Sequence, residues 1–162
     1  MKKCNTEIMK IVKALDEEKA ALIDMEMQNS KIIYASGEKK IETGYDFDAV
    51  TKRIAEIDKE VLRLKGKLSL SNATTVVSEF DMTISEALVY LAELQSEKDR
   101  YYRLSQEPKK RRLAISREGI VEYEETLYEP KLCAEKVKEI SELISKLQMA
   151  IDRTNLTNMI EL

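Results

Sequence analysis

The sequence predicts an all-α fold: an antiparallel four-helix bundle with long helices and a short extended or irregular arm between helices three and four. The 162 residues include only four Gly and two Pro, the residues that most often interrupt helices. Charged residues make up 35% of the chain, and Glu, Lys, Leu, Ile and Ala are abundant, a composition typical of long helices. Apolar residues recur at spacings of three and four in four stretches. We therefore expect a single helical domain over residues 1–162.

The first predicted helix covers residues 6–35. Asn5 or Thr6 is suited to cap its start, and Ser36-Gly37 is suited to end it. Its apolar stripe comprises Ile8, Ile11, Leu15, Leu22, Met25 and Ile32. Asn29 falls in the same stripe, and a buried Asn at that place would specify helix register. The length of this helix favours self-association.

The second and fourth predicted helices, residues 47–71 and 130–154, repeat one another at a distance of 83 residues. The shift superimposes apolar positions, and it superimposes the Asn-x-Thr sequences that begin at Asn72 and Asn155. We expect both sequences to terminate helices, with Asn in or near a left-handed turn. Their other interpretation, as N-glycosylation acceptors, is disfavoured because no secretion signal is recognisable. Chance phasing of two amphipathic helices is an open alternative.

The third predicted helix covers residues 84–105 and opens with a capping box formed by Thr83 and Glu86. Glu107-Pro108 ends it, because the residue before proline disfavours helical geometry. The following arm, residues 108–129, contains alternating apolar and polar residues that favour a short hairpin. Pro130 is suited to the first turn of the last helix.

The composition excludes several classes of site. The chain has no His, which removes triads that use a His base and makes a zinc site improbable with only two Cys. Cys133 lies on an apolar stripe and is expected in the core, whereas Cys4 is expected to be a free thiol near the terminus. No Gly-rich phosphate loop precedes a helix. We expect no metal, no cofactor and no enzymatic activity, and a cytoplasmic location without membrane contact.

Residues 98–117 are the compositional exception, with eight basic and two acidic side chains. Arg can bind phosphate through paired hydrogen bonds, and Tyr can stack on a base. The sequence therefore predicts that this segment binds a small anion such as a nucleotide, without a catalytic step. The candidate ligand-binding residues are Arg100, Tyr101, Tyr102, Arg103, Lys109, Lys110, Arg111, Arg112 and Arg117.

A second interpretation of the basic segment is structural. Glu122, Glu124 and Glu125 could fold back on it and neutralise it, or its charges could pair across a subunit interface. Long nucleic acid is an unlikely partner, because the remaining residues carry a net charge of −9. The expected partners are a second copy of the chain, from the length of the first helix, and the small anionic ligand.

Four segments carry a resemblance to a known family: "LSLSNATT", "MTISEALVYLAEL", "DRYYRLSQ" and "LQMAIDRTNLTNMIEL". They resemble an uncharacterised bacterial family founded on a corynebacterial hypothetical protein and often labelled septicolysin. The similarity covers most of residues 1–162 and is densest from residue 54. It departs near Val89 and Tyr90, where that family usually has Arg. The resemblance implies an all-helical fold; the lytic activity that its label implies is disfavoured, since the chain has no apolar hairpin and no aromatic-rich membrane face.

Overall fold

The computed structural model describes residues 1–113 and 120–162. Its four helices are α1 (Asn5–Asn29), α2 (Phe47–Thr74), α3 (Ile84–Ser105) and α4 (Pro130–Thr157). Six short strands form three antiparallel pairs within the described residues. They are β1 (Lys2–Cys4), β2 (Val76–Val77), β3 (Met82–Thr83), β4 (Lys110–Arg112), β5 (Tyr123–Glu125) and β6 (Met159–Glu161). The predicted all-α class is confirmed, and so is an extended arm between the third and fourth helices.

The residue contacts group into two compact units, residues 1–74 with 155–162, and residues 75–154. Each unit contains its own apolar core. The first unit contains the strand pair β1–β6, and the second contains the pairs β2–β3 and β4–β5. The expectation of a single domain over residues 1–162 stays a prediction.

In the first unit, α1 and α2 pack antiparallel around Ile8, Val12 and Leu64. Three ion pairs bridge the exposed sides of these helices, including Arg53 with Glu18 and Lys19 with Asp58. Strands β1 and β6 pair beside this core, and the backbone N–H of Leu162 donates to the carbonyl of Met1 at 3.0 Å. The first and last residues of the chain are therefore neighbours.

In the second unit, β2 and β3 form a hairpin immediately before α3. Asp81 in its turn has a φ of 50°, in the left-handed region that Asp tolerates better than most residues. The capping box of α3 is present as predicted: the backbone N–H of Thr83 donates to Glu86, and that of Glu86 donates to the Thr83 hydroxyl. The core of this unit comprises Val77, Ile84, Ala87, Leu94, Ile140, Ile144, Leu147, Ala150 and Ile151.

The helix bounds confirm the predicted repeat of the second and fourth helices. Both α2 and α4 have 28 residues, and they begin 83 residues apart, at Phe47 and Pro130. Strands β2 and β6 follow them at the same interval, beginning at Val76 and Met159. Each helix extends three residues beyond its predicted end.

The predicted left-handed turn at the Asn-x-Thr sequences is wrong. Asn72 and Asn155 lie inside the last turn of their helices. Neither has the positive φ of a left-handed turn; among the described non-glycine residues, Asp81 has a positive φ. The helices end two residues later, at Thr74 and Thr157. The sequences do mark the helix ends, but by a different contact, described below.

Helix α1 begins at Asn5, with Cys4 at the capping position, and ends at Asn29, six residues before its predicted end. The predicted stripe continues to Ile32, but the adjacent Ile33 is 100% exposed, so no core supports further turns. The returning loop instead caps the helix, because the Thr43 hydroxyl donates to the carbonyl of Asn29 at 2.9 Å.

One smaller expectation needs correction, at Asn29. Both cysteines are free thiols, as expected for Cys4; Cys133 is buried, as predicted, and Cys4 is buried as well. Asn29 is only half-buried and donates to the carbonyl of Met25 in its own helix. The buried Asn of α1 is Asn5, which was expected to be a cap.

Candidate functional site: the arm and the basic segment

The structure divides the predicted ligand-binding residues between two elements. Arg100, Tyr101, Tyr102 and Arg103 lie in the last two turns of α3. The other described members, Lys109 to Arg112, lie in or next to β4. Arg117 lies outside the described residues. The residues belong to the same unit, but they are not one cluster on one element.

The arm folds because its two strands carry complementary side chains. In the antiparallel register, Lys110 faces Glu125, Arg111 faces Glu124, and Arg112 faces Tyr123. Opposite charges directly across an antiparallel pair are favourable. The ladder extends by one bond at each end, from the N–H of Leu113 to the carbonyl of Glu122 and from the N–H of Thr126 to the carbonyl of Lys109. All six strand residues are exposed.

Most basic groups of the arm already have partners within it. The Arg111 guanidinium lies 2.7 Å from the carboxylate of Glu124, and this hydrogen bond raises the pKa of Arg111. The Lys110 ammonium lies 3.8 Å from Glu125 and 4.7 Å from the centre of the Tyr123 ring. The Lys109 ammonium donates to the carbonyls of Thr126 and Tyr128. The acidic strand thus folds back on the basic one, as the structural interpretation of the sequence anticipates.

The basic residues of α3 have a different setting. Arg100 and Arg103 line an open cleft of about 360 Å³ together with Ser96 and two carboxylates, Glu93 and Glu97. The Arg100 guanidinium stacks over the Tyr101 ring, 4.5 Å from its centre. The cleft therefore presents two positive and two negative groups side by side.

A polar cluster in the first unit was missed by the sequence analysis. Asn5 is 1% exposed, and its Nδ2 donates to the Oδ1 atoms of Asn72 at 3.3 Å and Asn155 at 3.0 Å. The Ser71 hydroxyl donates to Asn5 Oδ1 at 3.0 Å and accepts from Asn158 Nδ2 at 2.8 Å. The two Asn-x-Thr sequences therefore converge on one buried amide. The repeated Asn is the signal in the sequence, but nothing there identifies Asn5 as its partner.

No three or more His, Cys, Asp or Glu side chains in residues 1–113 and 120–162 are grouped so that they could hold a metal ion. No helix in the same ranges is long and apolar enough to cross a membrane.

The comparisons with known proteins identify the fold alone. No protein-family model and no curated protein matches the chain. The structure is similar to the crystal structure of a functionally unknown conserved protein from Corynebacterium diphtheriae, with a TM-score of 0.72 and 15% sequence identity. The similarity covers 99% of this chain and 100% of that chain. The chain is therefore similar in fold to a conserved corynebacterial protein whose function is unknown.

Proposed function

We propose that this chain is a non-enzymatic, self-associating helical protein of the cytoplasm whose arm makes protein–protein contacts. The observation that carries the proposal is the pairing of a basic strand with an acidic strand in an arm whose six strand residues are all exposed. Complementary charge at an exposed surface is the kind of feature that selects and orients a protein partner.

The same pairing makes the arm a poor anion pocket. A phosphate that approached Arg111 or Lys110 would have to displace Glu124 or Glu125, which accept from or lie near those groups. Displaced carboxylates would stay close to the bound anion and repel it. The contacts thus favour a protein ligand over a nucleotide at this element.

Apolar side chains beside the charges support the same proposal. Leu127 is 100% exposed, and Ile120, Val121 and Tyr123 are largely exposed on or next to β5. Exposed apolar and aromatic side chains beside Arg and a polar rim fit the composition of protein interfaces.

The test is the mass of the intact chain, measured by sedimentation equilibrium over a range of protein and salt concentrations. We expect more than one subunit and a smaller mass at high salt, because exposed charges are screened. Arg111→Ala should weaken the association. Arg63→Ala is the matched control, since it removes a similarly exposed Arg–Glu pair from α2, outside the arm. A monomer under all conditions would refute the proposal.

A second candidate function is capture of a small anion by Arg100 and Arg103, with Tyr101 or Tyr102 stacking on a base. The cleft beside α3 and the exposure of the Tyr102 side chain favour it. Calorimetric titration with ATP tests this candidate: binding should be lost in Arg100→Ala/Arg103→Ala and retained in Arg63→Ala. Absence of binding heat at millimolar ATP would rule it out.

A further inference from the structure

The arm is a two-stranded ribbon with two open edges. In the described part of the chain, β4 pairs with β5 and with no other strand. Residue pairs in an antiparallel ribbon alternate between hydrogen-bonded and non-hydrogen-bonded. The backbone bonds of Leu113 and Thr126 mark two hydrogen-bonded pairs, and the pair Arg111–Glu124 lies midway between them, so it is the third. The backbone groups of Lys110 and Arg112 on β4, and of Tyr123 and Glu125 on β5, therefore point outward. An isolated ribbon of this length is marginally stable in water, so both edges are suited to accept another strand.

We infer that the occupant of these edges is the arm of a second copy of this chain, with β4 of one copy pairing antiparallel to β5 of the other. The inference rests on the proposed self-association and specifies the contact through which it occurs. Charge selects this pairing among the three that two identical arms allow. Pairing β4 with β4 would oppose Lys and Arg with Lys and Arg, and pairing β5 with β5 would oppose Glu with Glu.

The register that pairs β4 with β5 within one arm also fits β4 of one copy to β5 of another. If Lys110 again faces Glu125, Arg111 faces Glu124 and Arg112 faces Tyr123, each outward residue of β4 becomes a hydrogen-bonded partner of an outward residue of β5. Basic and acidic strands then alternate across the sheet. Side chains at Lys110, Arg112, Tyr123 and Glu125 share one face of the arm, because alternate residues of a strand point the same way. The stack of Lys110 on Tyr123 would be repeated at the new edge.

The contact has a defined symmetry. Because β4 meets β5 rather than its own copy, the interface is heterologous, and it generates closed rings or open chains rather than a two-fold dimer. Charged side chains on edge strands can also serve to keep edges apart. That effect requires like charges to meet, whereas the two edges of this arm have opposite charge. The pairing should therefore weaken with salt but persist at low ionic strength.

The experiment is disulfide trapping between two single-cysteine chains of different mass. In a background with Cys4→Ser and Cys133→Ala, one full-length chain carries Lys110→Cys and the other carries Glu125→Cys. Hydrogen-bonded antiparallel pairs have Cα atoms about 5.5 Å apart, which suits a disulfide. Intact mass spectrometry after equilibration in a thiol redox buffer counts mixed and like dimers. Random pairing would give the mixed dimer and the two like dimers in a ratio of two to one to one. At low salt we expect the proportion of mixed to like dimers to be at least tenfold higher than that.

A backbone variant tests the edge itself. Arg112→Pro removes an outward N–H and leaves the inward bonds of the arm in place, so it should abolish the mixed disulfide. Arg112→Ala keeps the N–H and should retain it. Circular dichroism should show the same helix content in both variants.

The outcomes separate the inference from the proposed function. A multimeric mass with no excess of mixed disulfide overturns the pairing and leaves self-association standing. An excess of like dimers from the Lys110→Cys chain shows isologous pairing and also overturns it. A monomeric mass at every concentration overturns the proposed function and the inference together.

Discussion

Asn5 shows how much one buried polar side chain can organise in this protein. Its amide group donates to the two Asn-x-Thr sequences and accepts from Ser71; Asn5 and Ser71 are buried, and Asn72 and Asn155 are partly buried. A buried polar group is tolerated when it is hydrogen-bonded and is costly when it is left without a partner. The cluster therefore depends on the amide of Asn5.

We predict that Asn5→Ala lowers the free energy of unfolding by about 3 kcal/mol, because it removes the shared partner of one buried hydroxyl and two partly buried amides. Asn29→Ala is the control, since that amide bonds only within its own helix and is half-buried. It should change the free energy of unfolding by less than about 1 kcal/mol. Urea denaturation followed by circular dichroism measures both. Equal effects of the two substitutions would contradict the prediction.

Glu86 supplies a pH-dependent contribution to stability. Hydrogen bonds from the backbone N–H and then the hydroxyl of Thr83 lower the pKa of Glu86 below its ordinary value of 4.5. The unfolded chain therefore binds this proton more readily than the folded chain does. The contribution is complete above pH 4.5 and is lost as the pH falls through the folded-state pKa.

We predict that an NMR titration places the pKa of Glu86 below 4.5, and that Thr83→Val moves it upward. In Glu86→Gln, the acid-dependent loss of stability between neutral pH and pH 3 should be smaller than in the unchanged chain. A Glu86 carboxyl that titrates at its ordinary value would be the contrary result.

The capping box and the Asn5 cluster differ in how well a sequence can reveal them. Thr83 and Glu86 are three residues apart, and helix geometry alone brings them together. Asn5 lies 67 residues from Asn72 and 150 residues from Asn155. Local pattern contains no information on which of many polar residues meet across such distances.

At the scale of elements, α2 and α4 carry equivalent core positions in separate units. Leu64 is 1% exposed in the first core, and Leu147, 83 residues later, is 0% exposed in the second. We predict that Leu64→Ala and Leu147→Ala each lower the free energy of unfolding by about 2–5 kcal/mol, as is usual for buried Leu. Leu62→Ala, at an exposed position of α2, should cost less than about 1 kcal/mol. Urea denaturation measures all three, and similar values for Leu62 and Leu64 would contradict the assigned faces.

The helix starts were predicted more accurately than the end of α1, because a start depends on local signals and that end depends on packing. Asp46, Thr83 and Pro130 are start signals that act within one turn, and the helices begin beside them. The end of α1 depends on whether its apolar stripe finds a surface to pack against. Ile32, the last residue of the stripe, is itself exposed, and the hydroxyl of a loop residue, Thr43, donates to the last carbonyl of the helix.

At the scale of the whole molecule, the chain is closed by the pairing of its first and last strands. Strands β1 and β6 stand beside each other in the same antiparallel arrangement as β2 and β3, which a short turn connects. The terminal residues are joined by a backbone hydrogen bond between Leu162 and Met1. Adjacent termini are a condition for circular permutation.

We predict that a chain in which a short Gly-Ser linker joins Leu162 to Met1, and new ends lie between Ser78 and Glu79, folds with unchanged helix content. The opened site is an exposed turn, where chain breaks are tolerated best. A permutant with new ends between Ala87 and Leu88 is the control, since it cuts α3 beside a fully buried residue and should not fold. Circular dichroism and cooperative thermal unfolding distinguish the two, and failure of the first permutant would contradict the inferred closure.

By itself, the sequence determined the helical class, the start of each helix to within one residue, and the 83-residue repeat, because these depend on composition, spacing and contacts within a turn. Only the tertiary structure decided that the Asn-x-Thr sequences meet at Asn5, and that Lys110 and Arg111 pair with Glu125 and Glu124. Both depend on which distant groups become neighbours. A charged segment has the same composition whether it pairs with a ligand or with another segment of the chain, so its composition could not identify Glu124 and Glu125 as the partners.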